Sequence, residues 1–381
     1  MKKTNNKIGI LLPPAVGYSI KILFNLFFSN KISSKYYPRA IVITVINLIN
    51  LPFRSYERSF INPRFKEVEL KKPPIFIIGH WRSGTTHLHN LLCQDKQMGY
   101  TTTYQSVFPD TMFNVTGRFL FENFTQLLIP GKRQGDNVKL DARYPQEEEF
   151  SLGDKTPISF YYFWLFPREI MKYYLKYVRL QGITIDEKSQ WKEDYKLLIK
   201  KALKNTNGSQ FLSKNPTNTA RIKILLEMYP DAKFIHIHRN PIEVYLSTRN
   251  FFQNMMPHLQ LQTIEPEIVE KQIVSLYKDL MSDYFQQEND IPKENLINVS
   301  FDELENNPGL TLKKIYDTLG LEGYKEANQN FTEYINLMDD YKKNKHIIYR
   351  SQLSMIENEF GFAMDKLKYN IPSNLEIRED K

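Results

Sequence analysis

The chain has 381 residues, 25% of them charged and 41% hydrophobic, a balance that excludes a disordered protein. Its formal charge of +8 is spread along the chain, so no nucleic acid partner is required; an anionic cofactor or an anionic membrane surface accounts for the excess as well. A single cysteine, Cys93, excludes an intrachain disulfide and a cysteine-based metal site, and it points to a reducing cytoplasm.

Residues 8–53 are the most apolar part. Two runs, 20–28 and 40–51, fall short of the roughly 18–20 apolar residues that a spanning helix needs. Lys21, Lys31, Lys35 and Arg39 flank or interrupt them, and Tyr36 and Tyr37 lie between them. Such runs suit helices lying in a membrane interface on the inner face, or helices covering the globular core; the sequence leaves both open. Pro13 and Pro14 break the apolar run early and no small-residue cleavage site follows, so no secretory leader is expected.

A charged connector over 54–72 precedes the first α/β signature. Residues 74–78 (PIFII) form a continuous apolar run, as expected of a buried parallel strand. A glycine-bounded loop follows, and then a helix over 85–93 with Leu88, Leu91 and Leu92 at helical spacing. Helix is expected after Pro145, turning into the aromatic stretch FYYFWLF at 160–166, and again over 191–204. Short strands are expected at 211–213, 233–238 and 296–299, with helices over 221–229, from Pro241 towards Asn250, and over 310–319. Residues 255–270, with two prolines, read as a mobile loop. Alternating strands and helices imply an α/β fold with a parallel sheet covered by helices on both faces. The division expected is an apolar helical extension over 1–70, a core over 71–330 and a C-terminal segment over 331–381.

The loop Gly79-His80-Trp81-Arg82-Ser83-Gly84-Thr85-Thr86 keeps both glycines and the final threonine of a triphosphate-binding loop, but Thr85 stands where the lysine belongs. Backbone N–H groups and a helix N-terminus still suit an anion there. Arg82 supplies a cation from within the loop, and Ser83, Gly84, Thr85 and Thr86 complete the cradle with hydroxyl and backbone donors. A triphosphatase would end a neighbouring strand in Asp to organise magnesium. Strand 233–238 ends instead at Arg239, which favours a second phosphate group and no metal. His236 and His238 share a strand face but lack a third ligand, and His87 with His89 make no joint site.

With these motifs in place the chain resembles the sulfotransferase superfamily and its P-loop-like fold. GHWRSGTT is similar to the family's 5′-phosphosulfate loop. IHRNPIEVYLS (237–247) is similar to its 3′-phosphate motif, which maps onto Arg239 and Ser247. Ser213-Lys214-Asn215-Pro216 resembles a K-x-P element whose lysine faces the phosphosulfate, and VSFDELENNP resembles a further strand-to-helix segment. The resemblance covers residues 70–325. Bacterial enzymes that sulfate lipid alcohols, such as a hydroxylated menaquinol, look similar through Asp136-Asn137-Val138 and through Pro145-Gln146-Glu147-Glu148-Glu149-Phe150. The glycine-rich 3′-phosphate loop of the cytosolic animal enzymes is not recognisable; Lys345 or Arg350, in NKHIIYRS, is the substitute, with the C-terminal segment completing the cofactor site.

The resemblance implies sulfuryl transfer from 3′-phosphoadenosine 5′-phosphosulfate, leaving 3′,5′-bisphosphoadenosine and requiring no metal. Arg82 and Lys214 would stabilise the leaving charge, and Thr85 and Thr86 would hold the 5′-phosphate. A general base must take the acceptor proton. By the family pattern Glu147 ranks first, Glu149 second and Glu148 third, with His80 as a rival inside the loop. The aromatic stretch, Met255 and Met256, and the apolar N-terminus suggest a hydrophobic acceptor: a lipid, sterol or quinol alcohol. The competing readings are a P-loop-type kinase and a membrane-associated nucleotide-binding protein without catalysis.

Overall fold

A computed structural model describes residues 14–128, 141–337 and 347–380. Asp136, Asn137, Val138 and Lys345 lie outside these. Five strands make a parallel sheet: β1 (Ile75–Ile78), β2 (Met98–Gly99), β3 (Gln210–Lys214), β4 (Lys233–His238) and β5 (Leu296–Ser300), in the order β2-β3-β1-β4-β5. Ile77 pairs with Lys214 on one side and Ile235 on the other, which brings the ends of β1, β3 and β4 to one edge. β2 was not anticipated; two residues are too few to show a period.

Both faces of the sheet are covered. In β1, Ile75 and Ile77 join one apolar cluster while Phe76 and Ile78 join the other, and Leu212 and Phe211 divide in the same way. This strict alternation is the strand period of two, buried on both sides.

The helices that matter for the site are α1 (Ile20–Ser29), α2 (Tyr37–Tyr56), α3 (Thr85–Leu92), α4 (Val115–Leu128), α5 (Glu148–Lys155), α6 (Ile185–Thr206), α7 (Pro241–Leu259), α8 (Pro266–Gln287) and α9 (Arg350–Leu367). A small parallel pair, β6 (Ile347–Tyr349) with β7 (Glu376–Arg378), lies near the C-terminus. α6 starts six residues earlier than its apolar pattern, because Thr184 and Glu187 form a reciprocal capping box.

Two expectations are corrected. Residues 255–270 are no mobile loop. α7 runs on to Leu259 with Met255 and Met256 buried, and α8 begins at Pro266. The short link between them is tied down: Leu261 N–H donates to the Leu165 carbonyl at 2.7 Å, and Thr263 N–H to Ser33 Oγ at 3.0 Å. The aromatic stretch is core as well; all seven side chains from Phe160 to Phe166 are buried. The N-terminal helices cover the globular core, one of the two readings left open for them. Ala15, Val16, Leu23 and Ile43 join the same apolar cluster as Phe76 of β1, as does Phe360 of α9. Among the described residues, no helix is long and apolar enough to cross a membrane.

A buried polar network clamps the N-terminal helices to the core. Arg54 donates to the Gly17 carbonyl at 2.5 Å and to the Asp154 carbonyl, and it lies 3.4 Å from Asp110. Asp110 also meets Lys155 at 2.7 Å, and Lys201 meets Glu57 at 2.7 Å. Burial would push the Asp110 carboxyl up, but Lys155, Lys201 and Arg54 outweigh it and hold it well below the usual carboxylate range. Removing one member of such a set leaves its partners buried and uncompensated. Arg54→Ala is therefore expected to lower the unfolding free energy by about 3 kcal/mol, read by urea denaturation. The exposed Lys21→Ala control should stay within about 0.5 kcal/mol of the wild type. An Arg54→Ala protein of unchanged stability would separate the N-terminus from the core after all.

Candidate active site

The loop between β1 and α3 is shaped by close backbone contacts. Gly79 has φ +140° and any Cβ there would lie 2.1 Å from the Ile237 carbonyl oxygen; at Gly84, with φ +100°, a Cβ would lie 2.4 Å from the Phe301 ring. Only glycine fits either place. Arg82 adopts φ +70°, the left-handed region that a non-glycine residue enters at a cost. Gly84 caps α3, whose first N–H groups have no acceptor within the helix. That combination suits an oxyanion.

Four consecutive loop side chains take four directions. His80 is buried against Tyr277, its ring 4.9 Å away, and its Nδ1 lies 2.7 Å from the Trp81 carbonyl. That contact puts the proton on Nδ1, so Nε2 carries the lone pair; it is buried without a hydrogen-bond partner. Burial lowers the imidazole to about 4, against a smaller upward pull from the Trp81 carbonyl. It lines a small cavity behind the loop with His236, His238, Tyr277 and Met281. Trp81 Nε1 donates to Tyr161 Oη at 2.9 Å. Arg82 Nε donates to Ser247 Oγ at 3.0 Å, and its guanidinium lies over the Phe251 ring. Ser83 Oγ lies 2.7 Å from the His80 carbonyl and 3.0 Å from that of Ile237. This last contact corrects the expectation for Ser83. Its hydroxyl has one proton, and that proton staples the loop to itself or to β4 instead of facing an anion. Thr85 is buried and Thr86 half-buried at the start of α3.

The three glutamates have three different fates. Glu147, at the N-cap of α5, pairs through Oε1 with Lys214 Nζ at 2.6 Å and accepts on Oε2 from the Tyr161 hydroxyl. Glu148 accepts from Tyr195 Oη at 2.7 Å, from Ser213 Oγ and from the Lys214 backbone N–H at 3.3 Å. Burial pushes its carboxyl up, with these donors pulling the other way. Glu149 meets Arg221 at 2.6 Å, Asn215 Nδ2 at 2.8 Å, Thr217 Oγ1 at 3.0 Å and the Phe160 N–H at 2.8 Å. Burial would raise it, but Arg221 above all outweighs burial and holds it down. Side-chain exposure is 12% for Glu147 and 0% for Glu149. The second-ranked base is thus sealed inside an ion pair with every oxygen engaged, a structural anion that an acceptor hydroxyl does not reach.

The second anion motif is split. Arg239 follows β4, donates to Glu243 at 2.8 Å and lies with its guanidinium 4.5 Å from the centre of the Phe301 ring. Ser247 stands two turns along α7, against Arg82. Arg350 does not join them. Its side chain is 53% exposed and pairs with Glu379 at 3.2 Å. It begins α9, whose other end, Leu367, shares the cavity with Arg239, so the helix sets them roughly 25 Å apart. The C-terminal residues that do reach the end of β4 are Tyr369, 2.9 Å from His238 Nδ1, and Asn370, whose carbonyl accepts from Asn240 at 2.7 Å. His236 is likewise engaged, with Asn298 at 2.8 Å and stacked on Tyr284. Sequence reading missed Trp81, Tyr161, Arg221 and Tyr369. Trp81 lay within the recognised loop, but no spacing signals which distant hydroxyl its indole will meet.

Residues 73–326 match the model of the Sulfotransferase family. The omega-hydroxy-beta-dihydromenaquinone-9 sulfotransferases of Mycobacterium bovis and Mycobacterium tuberculosis are each 28% identical over 331 residues, covering 87% of this chain and 84% of theirs. Among solved structures, a Mycobacterium avium sulfotransferase shares the fold with a TM-score of 0.68 at 15% identity, covering 95% of this chain and 98% of its own. A Mycobacterium tuberculosis sulfotransferase does so with a TM-score of 0.60 at 16% identity, covering 90% of each. With a parallel sheet, a lysine-free anion loop and the matching family model, the chain belongs to the sulfotransferase family.

Proposed function

We propose that the chain moves a sulfuryl group from 3′-phosphoadenosine 5′-phosphosulfate to the hydroxyl of a hydrophobic alcohol at the inner face of the cytoplasmic membrane. One observation carries this reading. The chain of contacts Trp81–Tyr161–Glu147–Lys214 joins the anion loop to a carboxylate and a cation that face each other. The similar mycobacterial enzymes are named for a hydroxylated menaquinone derivative, which favours a long-chain lipid alcohol as acceptor. The bound cosubstrate supplies an activated sulfuryl group on a good leaving phosphate.

The residues of this chain do the rest. The N-terminus of α3, with Thr85 and Thr86, holds the 5′-phosphate, and Arg239 holds the 3′-phosphate. Ser247, now the acceptor of Arg82 Nε, would join Arg239 in holding the 3′-phosphate. Transfer is an in-line displacement: the acceptor oxygen bonds to sulfur as the bond from sulfur to the bridging oxygen breaks. Lys214 and Arg82 neutralise the charge that grows on that bridging oxygen. As Lys214 turns to it, Oε1 of Glu147 is released to take the acceptor proton, while Tyr161 keeps Oε2 in place. His80 is a weak base in its buried place and holds the loop. Glu149 fixes α5.

Arg82→Ala and Lys214→Ala should each lower kcat by at least about 10²-fold in radiolabelled sulfate transfer to a lipid extract, with the fold retained by circular dichroism. Full activity in either variant removes that residue from the reaction. Glu147→Gln should lose about 10²–10⁴-fold in turnover with the fold retained by circular dichroism, although it leaves the buried Lys214 ammonium without its carboxylate. Glu149→Gln, which leaves Arg221 uncompensated, should lose about 3 kcal/mol of stability and more of it than Glu147→Gln, because Glu149 is the more deeply buried partner. Turnover of His80→Asn should fall less than tenfold at saturating cosubstrate. If Glu147→Gln keeps wild-type turnover, the base lies elsewhere.

A further inference from the structure

α2 is turned inside out. Of its five buried residues three are polar, Asn47, Asn50 and Arg54, against Ala40 and Ile43. The buried polar side chains tie α2 down: Asn47 donates to the Ala15 and Ile43 carbonyls at 2.7 and 2.9 Å, and Arg54 to Gly17 and Asp154, while Asn47 Oδ1 and Arg54 Nε have no hydrogen-bond partner among the described residues. The outward face is apolar. Ile41 is 63% exposed, and Val42, Val45, Leu48, Ile49 and Tyr56 are exposed with it. At about 100° per residue these positions lie opposite Ile43, Asn47 and Asn50. No charged residue stands among them. A helix stabilised against a core by water alone shows the reverse pattern, and scattered apolar exposure does not make a continuous stripe.

The neighbouring helices also expose large apolar side chains. On α1, Phe24 stacks on Phe28, which is 86% exposed. α4 lies beside α2 through the contact of Gly117 with Phe53, and its Phe119 is 74% exposed. Cations predominate around this face, although α4 carries the half-buried Glu122, paired with Arg118 and Arg143, and Glu67 and Glu69 are exposed just beyond α2. Between residues 14 and 66 the only carboxylate is Glu57, and it is buried against Lys201. Lys21, Lys31 and Lys35 are exposed before α2, and Arg58, Arg64 and Lys66 are exposed after it.

We propose that this face docks on an anionic phospholipid bilayer, with α2 lying in the plane of the interface and the basic residues at its ends meeting lipid phosphates. A second copy of the chain is a poorer occupant. A two-fold contact would bring the same cations towards each other with no exposed carboxylate in the segment to pair with them. The inner side of the docked helix holds the site. Arg54 binds the end of α5, which carries Glu147, and Arg39 donates to the Gln260 carbonyl at 2.7 Å, at the end of α7, which carries Ser247.

The test needs neither cosubstrate nor acceptor, so it is independent of the sulfuryl-transfer reading. The full chain is floated with vesicles of phosphatidylcholine alone and with vesicles containing equal phosphatidylglycerol. Binding to the anionic vesicles should be at least tenfold tighter and should weaken in high salt. Val45→Glu/Leu48→Glu should lose at least tenfold of that binding with an unchanged melting temperature. Ile41→Trp guards against misfolding of the charged variant: its emission should shift to the blue on adding anionic vesicles and be quenched by brominated lipid. Wild-type protein that stays with the aqueous fraction, or Ile41→Trp emission that ignores saturating vesicles, overturns the proposal. So does light scattering that shows a vesicle-indifferent dimer which Val45→Glu/Leu48→Glu converts to monomer.

Discussion

Three consecutive carboxylates out of bulk water dominate this structure. A buried carboxylate without partners is costly enough that the group would protonate or the segment would leave the core. Each of Glu147, Glu148 and Glu149 is therefore committed to its own donors, and each set has members from β3 and the turn after it: Lys214, then Ser213 with the Lys214 N–H, then Asn215, Thr217 and Arg221; Tyr161, Tyr195 and the Phe160 N–H complete them in the same order. The segments QEEEF and SKNPT are thus one unit, though more than sixty residues separate them. The arrangement fixes α5 against the sheet at three points along one turn, which a single ion pair could not do. Lys214 is held at the end of β3 by its backbone as well as by its ammonium group, so its place beside β1 does not depend on a ligand.

The N-terminal helices continue this logic from the other end of the helices. Arg54 donates to the Asp154 carbonyl in the last turn of α5, and Arg39 to the carbonyls of Pro257 and Gln260 at the close of α7. Helix C-termini present unpaired carbonyls and partial negative charge, so arginine is the fitting donor at both. α2 acts as a strut that caps the two helices carrying the site. Its inner side needs polar residues for this work, and that need explains why its apolar residues face outward.

Local pattern made much of the fold legible. A run such as PIFII reads as a buried strand because each of its faces meets an apolar cluster, and the GHWRSGTT loop reads as an anion cradle because its glycines sit where backbone and ring leave no room for a Cβ. What could not be read was set by distant partners. The family pattern offered both Glu147 and Glu149 as bases, but only the fold shows that Arg221, from beyond β3, consumes Glu149. Ser83 looked like an anion donor because nothing in the sequence announces the Ile237 carbonyl on β4 beside it. Arg350 was a cation in the right stretch of chain, yet α9 runs the other way and delivers Leu367 and Tyr369 to the end of β4. Prolines at 257 and 266 suggested a loose loop, but Pro266 opens α8, where proline is favoured, and α7 continues through Pro257 to Leu259 with Met255, Met256 and Leu259 buried.

The loop itself links these parts. Residues 80 to 83 reach the cavity beside Tyr277, the Tyr161 hydroxyl, Ser247 and the β4 carbonyl in turn. Trp81 donates to Tyr161, and Tyr161 to Glu147, so the loop and the carboxylate are joined through two side chains. Under the proposed reaction an anion on the N-terminus of α3 would meet Arg82 on one side of this link and Glu147 on the other. Glu148 and Glu149 are sealed behind it, and Glu147 is the least buried member of the triplet, which is why the proposal gives the acceptor proton to it.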